Sequence, residues 1–311
     1  MKVEDIRTVA IVGAGLMGHG IAQEFALAGY DVRMQDLTEQ NIQQAMVSIR
    51  ANLERLVGLG LISPQQAEVT PGRIRTSTQL DEIASEADLV IEAVFENLEV
   101  KQDIFRQLDE LCPEHSILAS NTSAILPSKL AIVTKRPERV LVVHYWNPPY
   151  LMPLVEIVRH PEVSDETVAT VYELLLKMGK SPAIVQKEAA GFIGNRLQVA
   201  LFREAISMVE KGIASPQDID TVIKNGPGRR WAAAGIFEMV DTGGADLILS
   251  VCEYLIPDLE NSNEMPPLLE KNVERGDLGI KTGKGFYEWT PEKAEALRHR
   301  IAQALVKIAQ W

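Results

Sequence analysis

Residues 8–36, TVAIVGAGLMGHGIAQEFALAGYDVRMQD, decide the fold of this chain. The short apolar run at 8–12 predicts a buried parallel strand, because such strands are covered by helices on both faces. A glycine-rich turn follows at 13–18, and an apolar-periodic helix is predicted from about residue 16 to 28, ending at Gly29. A second predicted strand, at 31–35, ends in Asp36. This order of strand, glycine turn, helix, strand and acid predicts a dinucleotide-binding unit.

The same unit predicts the cofactor. Its first glycine permits a tight turn, its second lets the backbone approach a pyrophosphate, and its third allows close packing of helix on strand. The helix start offers free N–H groups to the phosphates. Flavin enzymes share the glycine pattern, but Asp36 can accept a hydrogen bond from the adenosine ribose and would repel a 2′-phosphate, so NAD is predicted over NADP. The predicted cofactor residues here are Gly13, Gly15, Leu16, Met17, Gly18 and Asp36.

Strands continue to alternate with helices as far as Lys187, which predicts a doubly wound, mostly parallel α/β sheet. Beyond a glycine-bearing joint at 188–196 the segments look helical. The predicted helices lie at about 197–211, from 215 onward, and at 235–256, 266–275 and 291–310. We therefore expect a nucleotide-binding domain at residues 1–187 and an all-α domain at residues 188–311.

Composition narrows the possible functions. The chain has 311 residues, a formal net charge of −12, 46% hydrophobic residues and 24% charged residues. The length suits two domains, and the acidic balance argues against nucleic acid or an anionic membrane as the partner. Cys112 and Cys252 sit in no paired motif, so both are expected to be reduced thiols. Without an apolar run of signal-peptide or membrane-spanning length, we expect a soluble, cytoplasmic protein. We also expect no metal site.

A second stretch, residues 141–158, LVVHYWNPPYLMPLVEIV, predicts strand, turn and strand. Its prolines exclude a helix through the middle. Folded back on each other, the two strands could bring the imidazole of His144 to the carboxylate of Glu156. A histidine held by a carboxylate on one nitrogen is a common general base. The alternative is that His144 is a satisfied structural residue at a strand end.

Polar residues follow two further predicted strands, at 88–94 and 116–120. Glu96 and Lys101 come after the first, where ligands bind in open α/β sheets, so both are placed to reach the cofactor. The alternative is an ordinary solvated helix start. Asn121, Thr122 and Ser123 come after the second. These side chains could orient a substrate oxygen, or they could simply cap a helix.

Together these features resemble the 3-hydroxyacyl-CoA dehydrogenase family, from Val9 to Tyr287. The motifs that carry the resemblance are GAGLMG at 13–18, IEAVFEN at 91–97, ASNTS at 119–123, His144 with Asn147-Pro148 and Glu156, GFIGNRL at 191–197, and GIKTGKGFY at 279–287. The resemblance implies a Rossmann-type domain followed by an all-α domain. It also implies an NAD-dependent oxidoreductase of fatty acid metabolism, and a homodimer formed through the helical domain.

The resemblance also implies roles for individual residues. His144 would be the general base that removes a hydroxyl proton as hydride leaves for NAD. Glu156 would orient His144 and stabilise its cationic form. Ser123 and Asn195 would donate hydrogen bonds to substrate oxygens. The residues expected around the nicotinamide half of the cofactor are Glu96, Lys101, Asn147 and Lys281.

Two departures from the family pattern bear on the substrate. CoA-using relatives carry lysines near the end of the helix at 39–60, where this chain has Val57-Gly-Leu-Gly-Leu61. The segment at 226–235 reads GPGRRWAAAG, and its arginine before an aromatic resembles the λ-crystallin/L-gulonate dehydrogenase and carnitine dehydrogenase branch. A related bacterial branch oxidises a pyridine carboxylate aldehyde. Arg229 and Arg230 could bind a free carboxylate bidentately, or they could form structural ion pairs.

The leading prediction is therefore oxidation of the 3-hydroxyl of a short-chain 3-hydroxyacyl-CoA, a small-molecule substrate, to the 3-oxo compound. The alternative is the same chemistry on a free 3-hydroxy acid or another carboxylate. The β-hydroxyacid dehydrogenases would require a lysine in the helix that begins the second domain, and GFIGNRLQ has none. A non-enzymatic, crystallin-like protein would have lost His144 or Glu156, and both are present.

Overall fold

A computed structural model of the protein describes residues 1–308. The predicted end of the last helix, near residue 310, and the predicted end of the helical domain, at residue 311, lie outside the described residues. The chain divides after Asn195 into two compact units, the first beginning at Met1 and the second at Arg196. The domain boundary predicted between residues 187 and 188 stays a prediction.

An eight-stranded sheet with the strand order β3-β2-β1-β4-β5-β6-β7-β8 forms the centre of the first unit. The strands are β1 Thr8–Val12, β2 Asp31–Gln35, β3 Ile74–Ser77, β4 Leu89–Glu92, β5 Ile117–Ser120, β6 Val140–Tyr145, β7 Leu154–Val158 and β8 Ser181–Val185. Neighbouring strands are parallel except β6 and β7, which are antiparallel. The predicted doubly wound, mostly parallel sheet is therefore confirmed.

Helices cover both faces of this sheet, which explains why its central strands are continuous apolar runs in the sequence. They are α1 Gly18–Leu27, α2 Glu39–Gly58, α3 Pro64–Val69, α4 Leu80–Ala84, α5 Leu98–Leu111, α6 Pro127–Ala131 and α7 Asp165–Lys177. Alternate residues of β1 enter opposite cores. Val9 and Ile11 pack with residues of α1, α2 and α7, whereas Ala10 and Val12 pack with residues of α4, α5 and α6. Because β2 and β4 lie on opposite sides of β1, the chain order reverses there, and such a point opens a ligand crevice at the carboxyl ends of the strands.

The second unit is helical. Its helices are α8 Gly194–Glu210, which begins in the first unit, then α9 Pro216–Asn225, α10 Pro227–Trp231, α11 Ile236–Gly243, α12 Ala245–Leu255, α13 Pro267–Glu274 and α14 Pro291–Ile308. The single helix predicted over 235–256 is two helices. Gly244 separates them with a φ of 84°, a conformation that glycine adopts readily and that a continuing helix cannot contain. Within the described residues, no helix is both long enough and apolar enough to cross a membrane.

Candidate active site

The glycine loop after β1 has the shape that a dinucleotide requires. Gly13 has a φ of 97°, and a Cβ atom there would lie 2.8 Å from the carbonyl oxygen of Ala93. A Cβ on Gly18 would lie 1.8 Å from the carbonyl oxygen of Gly13, so helix α1 can begin this close to the turn only with glycine. Around Gly15, by contrast, no atom lies within 4 Å of a built Cβ. The backbone at Gly15 is therefore open to an approaching phosphate.

Asp36, at the end of β2, closes this loop. Its Oδ2 accepts a hydrogen bond from the Ala14 amide at 2.8 Å, and its Oδ1 accepts from the Leu37 amide at 2.8 Å and from Asn41 Nδ2 at 2.7 Å. These contacts orient the carboxylate and leave lone pairs for a ribose hydroxyl. Helix α1 begins at Gly18 rather than at the predicted residue 16, because the loop continues through half-exposed Met17. The loop residues thus fit NAD.

The antiparallel pair β6 and β7 brings His144 directly opposite Glu156. His144 Nδ1 lies 2.9 Å from Glu156 Oε2, and both side chains are buried. Both project from the face of the sheet that carries the small apolar cluster Val142, Val158, Val185 and Phe192. The contact expected from the proline-rich turn is therefore present, in a site with little access to solvent.

Four N–H groups donate to the Glu156 carboxylate. Oε1 accepts from the amides of Ile193 and Gly194 at 2.9 and 3.0 Å, and Oε2 accepts from His144 and from Trp146 Nε1 at 3.2 Å. Burial alone raises the pKa of Glu156, but the hydrogen bonds from His144, Gly194, Ile193 and Trp146 outweigh burial and hold that pKa below its ordinary value. An ionised carboxylate can only accept, so His144 carries its proton on Nδ1 and keeps the Nε2 lone pair free.

A hydroxyl faces that free nitrogen. Ser123 Oγ lies 3.1 Å from His144 Nε2, and Asn195 Nδ2 donates to the carbonyl oxygen of Ser123 at 3.4 Å. The Phe192 ring packs edge-on against the imidazole, with ring centroids 5.4 Å apart. Phe192 has a φ of 52°, which is rare for a residue with a side chain. The first unit therefore brings together all four residues predicted to be catalytic: His144, Glu156, Ser123 and Asn195.

Lys101 and Glu96 support the loop that carries Ser123. Lys101 is 1% exposed, and its Nζ lies 2.7 Å from Glu92 Oε1, 3.3 Å from the Val94 carbonyl oxygen and 3.5 Å from Glu96 Oε2. Glu96 Oε1 accepts from the amides of Ser123 and Ala124, each at 3.2 Å, and from the Thr122 hydroxyl. The buried ammonium therefore holds Glu96, whose carboxylate supports the loop that carries Ser123. The predicted roles of Lys101 and Glu96 beside the cofactor stay predictions.

The sequence analysis did not assign every side chain that builds this site. Glu92 is fully buried and accepts a hydrogen bond from Ser120 Oγ at 2.6 Å. Its signal was a charged residue inside an otherwise apolar strand, which requires a buried partner. Phe192 gave no such signal, because the contact of its ring with His144 joins segments that are 48 residues apart.

The remaining candidate residues lie apart from these contacts. Asn147 is exposed in the turn after β6, and Leu16 is 69% exposed in the glycine loop. Arg229 and Arg230, on α10, and Lys281 belong to the second unit, where all three are exposed. Among residues 1–308, no group of three or more His, Cys, Asp or Glu side chains is arranged to hold a metal ion.

Comparisons with known proteins identify the family of this chain. Residues 8–189 match the model of the 3-hydroxyacyl-CoA dehydrogenase NAD-binding domain, and residues 191–289 match the model of the C-terminal domain of the same family. A probable 3-hydroxybutyryl-CoA dehydrogenase of Bacillus subtilis is 40% identical over 92% of this chain and 98% of its own length. The 5-formyl-3-hydroxy-2-methylpyridine 4-carboxylate 5-dehydrogenase of Mesorhizobium japonicum is 35% identical over 97% of each chain.

Solved structures of the same family are also similar to this chain. The crystal structure of a 5-formyl-3-hydroxy-2-methylpyridine 4-carboxylic acid 5-dehydrogenase, described as an NAD-dependent dismutase, has a TM-score of 0.90 and 35% identity, and the match covers 97% of each chain. That of the (S)-3-hydroxybutyryl-CoA dehydrogenase of Ralstonia eutropha has a TM-score of 0.76 and 36% identity, over 92% of this chain and 99% of that one. The glycine loop, Asp36 and both family models together show that this chain belongs to the NAD-dependent oxidoreductases of the 3-hydroxyacyl-CoA dehydrogenase family.

Proposed function

We propose that this enzyme oxidises an alcohol carbon of its substrate, with His144 as the general base. The observation that carries the proposal is the buried His144 whose Nδ1 is held by Glu156 at 2.9 Å while its Nε2 faces Ser123. Losing an alcohol's hydride requires the loss of its hydroxyl proton, and a neutral imidazole can accept that proton. NAD supplies the hydride acceptor when bound.

In this mechanism each residue of the chain has a defined part. His144 Nε2 takes the proton, and the ionised Glu156 stabilises the imidazolium that forms. Ser123 Oγ and Asn195 Nδ2 orient the substrate oxygens. The residues we propose to hold the cofactor are Gly13, Gly15, Leu16, Met17, Gly18, Asp36, Glu96, Lys101, Asn147 and Lys281. In the reverse reaction, His144 returns the proton to the alkoxide oxygen as hydride arrives at carbon.

The first candidate substrate is a short-chain 3-hydroxyacyl-CoA, which would be oxidised to the 3-oxo thioester. Both family models and the 40% identical Bacillus subtilis relative support it. On this substrate the enzyme would serve fatty acid metabolism. A cytoplasmic location stays a prediction from the sequence.

The second candidate is a carboxylate without CoA, and a specific observation favours it. The match to the pyridine-carboxylate dehydrogenase reaches a TM-score of 0.90 over 97% of the chain, against 0.76 over 92% for the hydroxybutyryl-CoA enzyme. Exposed Arg229 and Arg230 could supply a bidentate contact to the carboxylate. If the reacting group is an aldehyde, His144 would deprotonate its hydrate. The products would then be a carboxylic acid, NADH and a proton.

A comparison of two substrate panels separates these candidates. NADH formation is followed with short-chain 3-hydroxyacyl-CoA thioesters and, separately, with free 3-hydroxy acids and hydroxymethyl- or formyl-pyridine carboxylates. If CoA is required, the free acids give no turnover and Arg230→Ala has little effect. Turnover confined to free acids contradicts the CoA substrate if it is lost in Arg230→Ala but kept in the control Arg298→Ala, at an exposed position of α14. No NADH from either panel contradicts the proposed function.

We also propose that the protein is a homodimer formed through its helical unit. Large apolar side chains on α11 and α12 are exposed, including Phe237 at 83%, Leu247 at 58% and Tyr254 at 84%. Patches of this kind mark interaction surfaces. We expect light scattering to give twice the chain mass, and Phe237→Glu to halve it. The control Ile132→Glu, at a 77% exposed position of the first unit, should leave the mass unchanged. A monomeric parent chain contradicts the proposal.

A further inference from the structure

The proposed mechanism does not use the indole of Trp146. This side chain follows β6 and, two residues after His144, continues the same face of the strand. Its Nε1 donates to Glu156 Oε2 at 3.2 Å, the same oxygen that His144 Nδ1 contacts at 2.9 Å. One carboxylate oxygen is therefore shared by the histidine and a neutral N–H donor.

Backbone contact fixes the position of the indole. Trp146 is half-buried, and its ring centroid lies 5.9 Å from that of His144. A Cβ on Gly194 would fall 2.3 Å from Trp146 Cζ2. The ring therefore lies against bare backbone at the start of α8, the turn whose amide also donates to Glu156. The Trp146 N–H is held at the carboxylate by packing from outside its own strand.

The groups around His144 are few. Glu156 faces it from β7, the Ser123 hydroxyl faces it from the loop after β5, and the rings of Trp146 and Phe192 flank it. Glu96, with Lys101 behind it, lies one step further away, because its carboxylate binds the Ser123 amide rather than the imidazole. Glu156 is thus the charged group that contacts the His144 ring directly.

Each hydrogen bond to a carboxylate stabilises its negative charge and reduces its attraction for the remaining donors. The two backbone amides bind Oε1, whereas Trp146 binds Oε2 itself. Trp146 therefore competes directly with His144. It weakens the stabilisation that Glu156 gives to a protonated imidazole.

We propose that Trp146 is a positioning residue that sets the basicity of His144 by sharing Glu156 Oε2 with it. This proposal rests on the proposed function only because that function assigns His144 as the general base. Without the Trp146 N–H, Glu156 stabilises the imidazolium more strongly. His144 then keeps its proton to higher pH, and a smaller fraction of the enzyme carries the neutral base that alcohol oxidation requires.

The variant Trp146→Phe retains a ring and removes the N–H. Titrating the imidazole resonances of isotope-labelled protein by NMR follows His144 directly, because the chain has only five histidines. We expect the His144 midpoint to rise by about 0.5 to 1 pH unit relative to wild type. The matched control is Tyr145→Phe, which removes a buried hydroxyl with no hydrogen-bond partner in the described structure, on the opposite face of the strand. It should leave the midpoint unchanged.

Kinetics give a second signature. In Trp146→Phe, the acid limb of the pH profile of kcat/KM for alcohol oxidation should move to higher pH. The alkaline limb of the pH profile for the reverse reduction should also move to higher pH, by the same amount. Loss of packing alone would lower both rates at every pH without moving either limb. A midpoint that is unmoved in Trp146→Phe, or moved equally in Tyr145→Phe, overturns the proposal.

The role of Trp146 can be tested even if Trp146→Phe does not fold or the enzyme shows no turnover. If Trp146→Phe does not fold, incorporation of 3-benzothienylalanine preserves the shape of the indole and replaces the N–H by sulfur, and the same rise in midpoint is expected. The NMR titration requires no turnover. A protein that shows the shift yet oxidises no substrate therefore contradicts the proposed function and not the role of Trp146.

Discussion

Replacing His144 by Gln lowers kcat by about 10² to 10⁴, the range typical for loss of a positioned general base. Glutamine fills similar space and can still contact Glu156, but its amide cannot take a proton. The glycine loop and Asp36, which bind the cofactor in our proposal, lie on β1, α1 and β2, whereas His144 lies on β6. Calorimetry should therefore show unchanged NAD affinity while single-turnover NADH formation is lost.

The matched control for this experiment is His115→Gln. His115 precedes β5, at the amino end of the strands, and its Nε2 lies 3.0 Å from Asp88. Its loss should leave kcat unchanged, because this end of the sheet is opposite to the one that carries His144. Full turnover in His144→Gln would disprove the assignment of the base. Equal loss of NAD binding and turnover would instead identify His144 as a structural residue.

Replacing Lys101 by Met lowers the free energy of unfolding by about 3–5 kcal/mol, the cost of leaving a buried charge without its partner. Lys101 and Glu92 are 1% and 0% exposed, with Nζ and Oε1 2.7 Å apart. Without the ammonium, Glu92 keeps only the hydrogen bonds from Ser120 and the Val94 amide. Urea unfolding measures the loss. The Ser123 loop also loses its support through Glu96, so kcat falls in the molecules that still fold.

A second substitution separates loss of charge pairing from loss of packing. In Lys101→Met with Glu92→Gln no buried charge is left unpaired, because the other carboxylate beside Lys101, that of Glu96, is 43% exposed. We therefore expect most of the lost stability to return. The exposed pair Lys177 and Glu4 provides the control, since Lys177→Met removes a contact that water already screens. A double variant no more stable than Lys101→Met would mean that the lysine side chain acts through packing rather than through its charge.

Much of the first unit could be predicted from local patterns. Glycines at three positions, an apolar run before them and an acid after the next strand specify a loop whose geometry depends on residues close in sequence. The same is true of β6 and β7, where prolines force a turn and twelve residues separate His144 from Glu156. The prediction of a single helix over 235–256 was wrong because the apolar pattern continues through Gly244 while the backbone does not.

The sequence by itself thus determined the sheet, the cofactor loop and the approach of His144 to Glu156, because each depends on short-range steric and hydrophobic patterns. Only the tertiary structure decided what surrounds them. Lys101 turns inward to Glu92 because β4 and the start of α5 enclose both. Trp146 reaches Glu156 because Gly194, 48 residues later, leaves room for the indole. Such contacts join segments whose separation in the chain carries no periodic signal, and in this protein they set the charge balance around the proposed base.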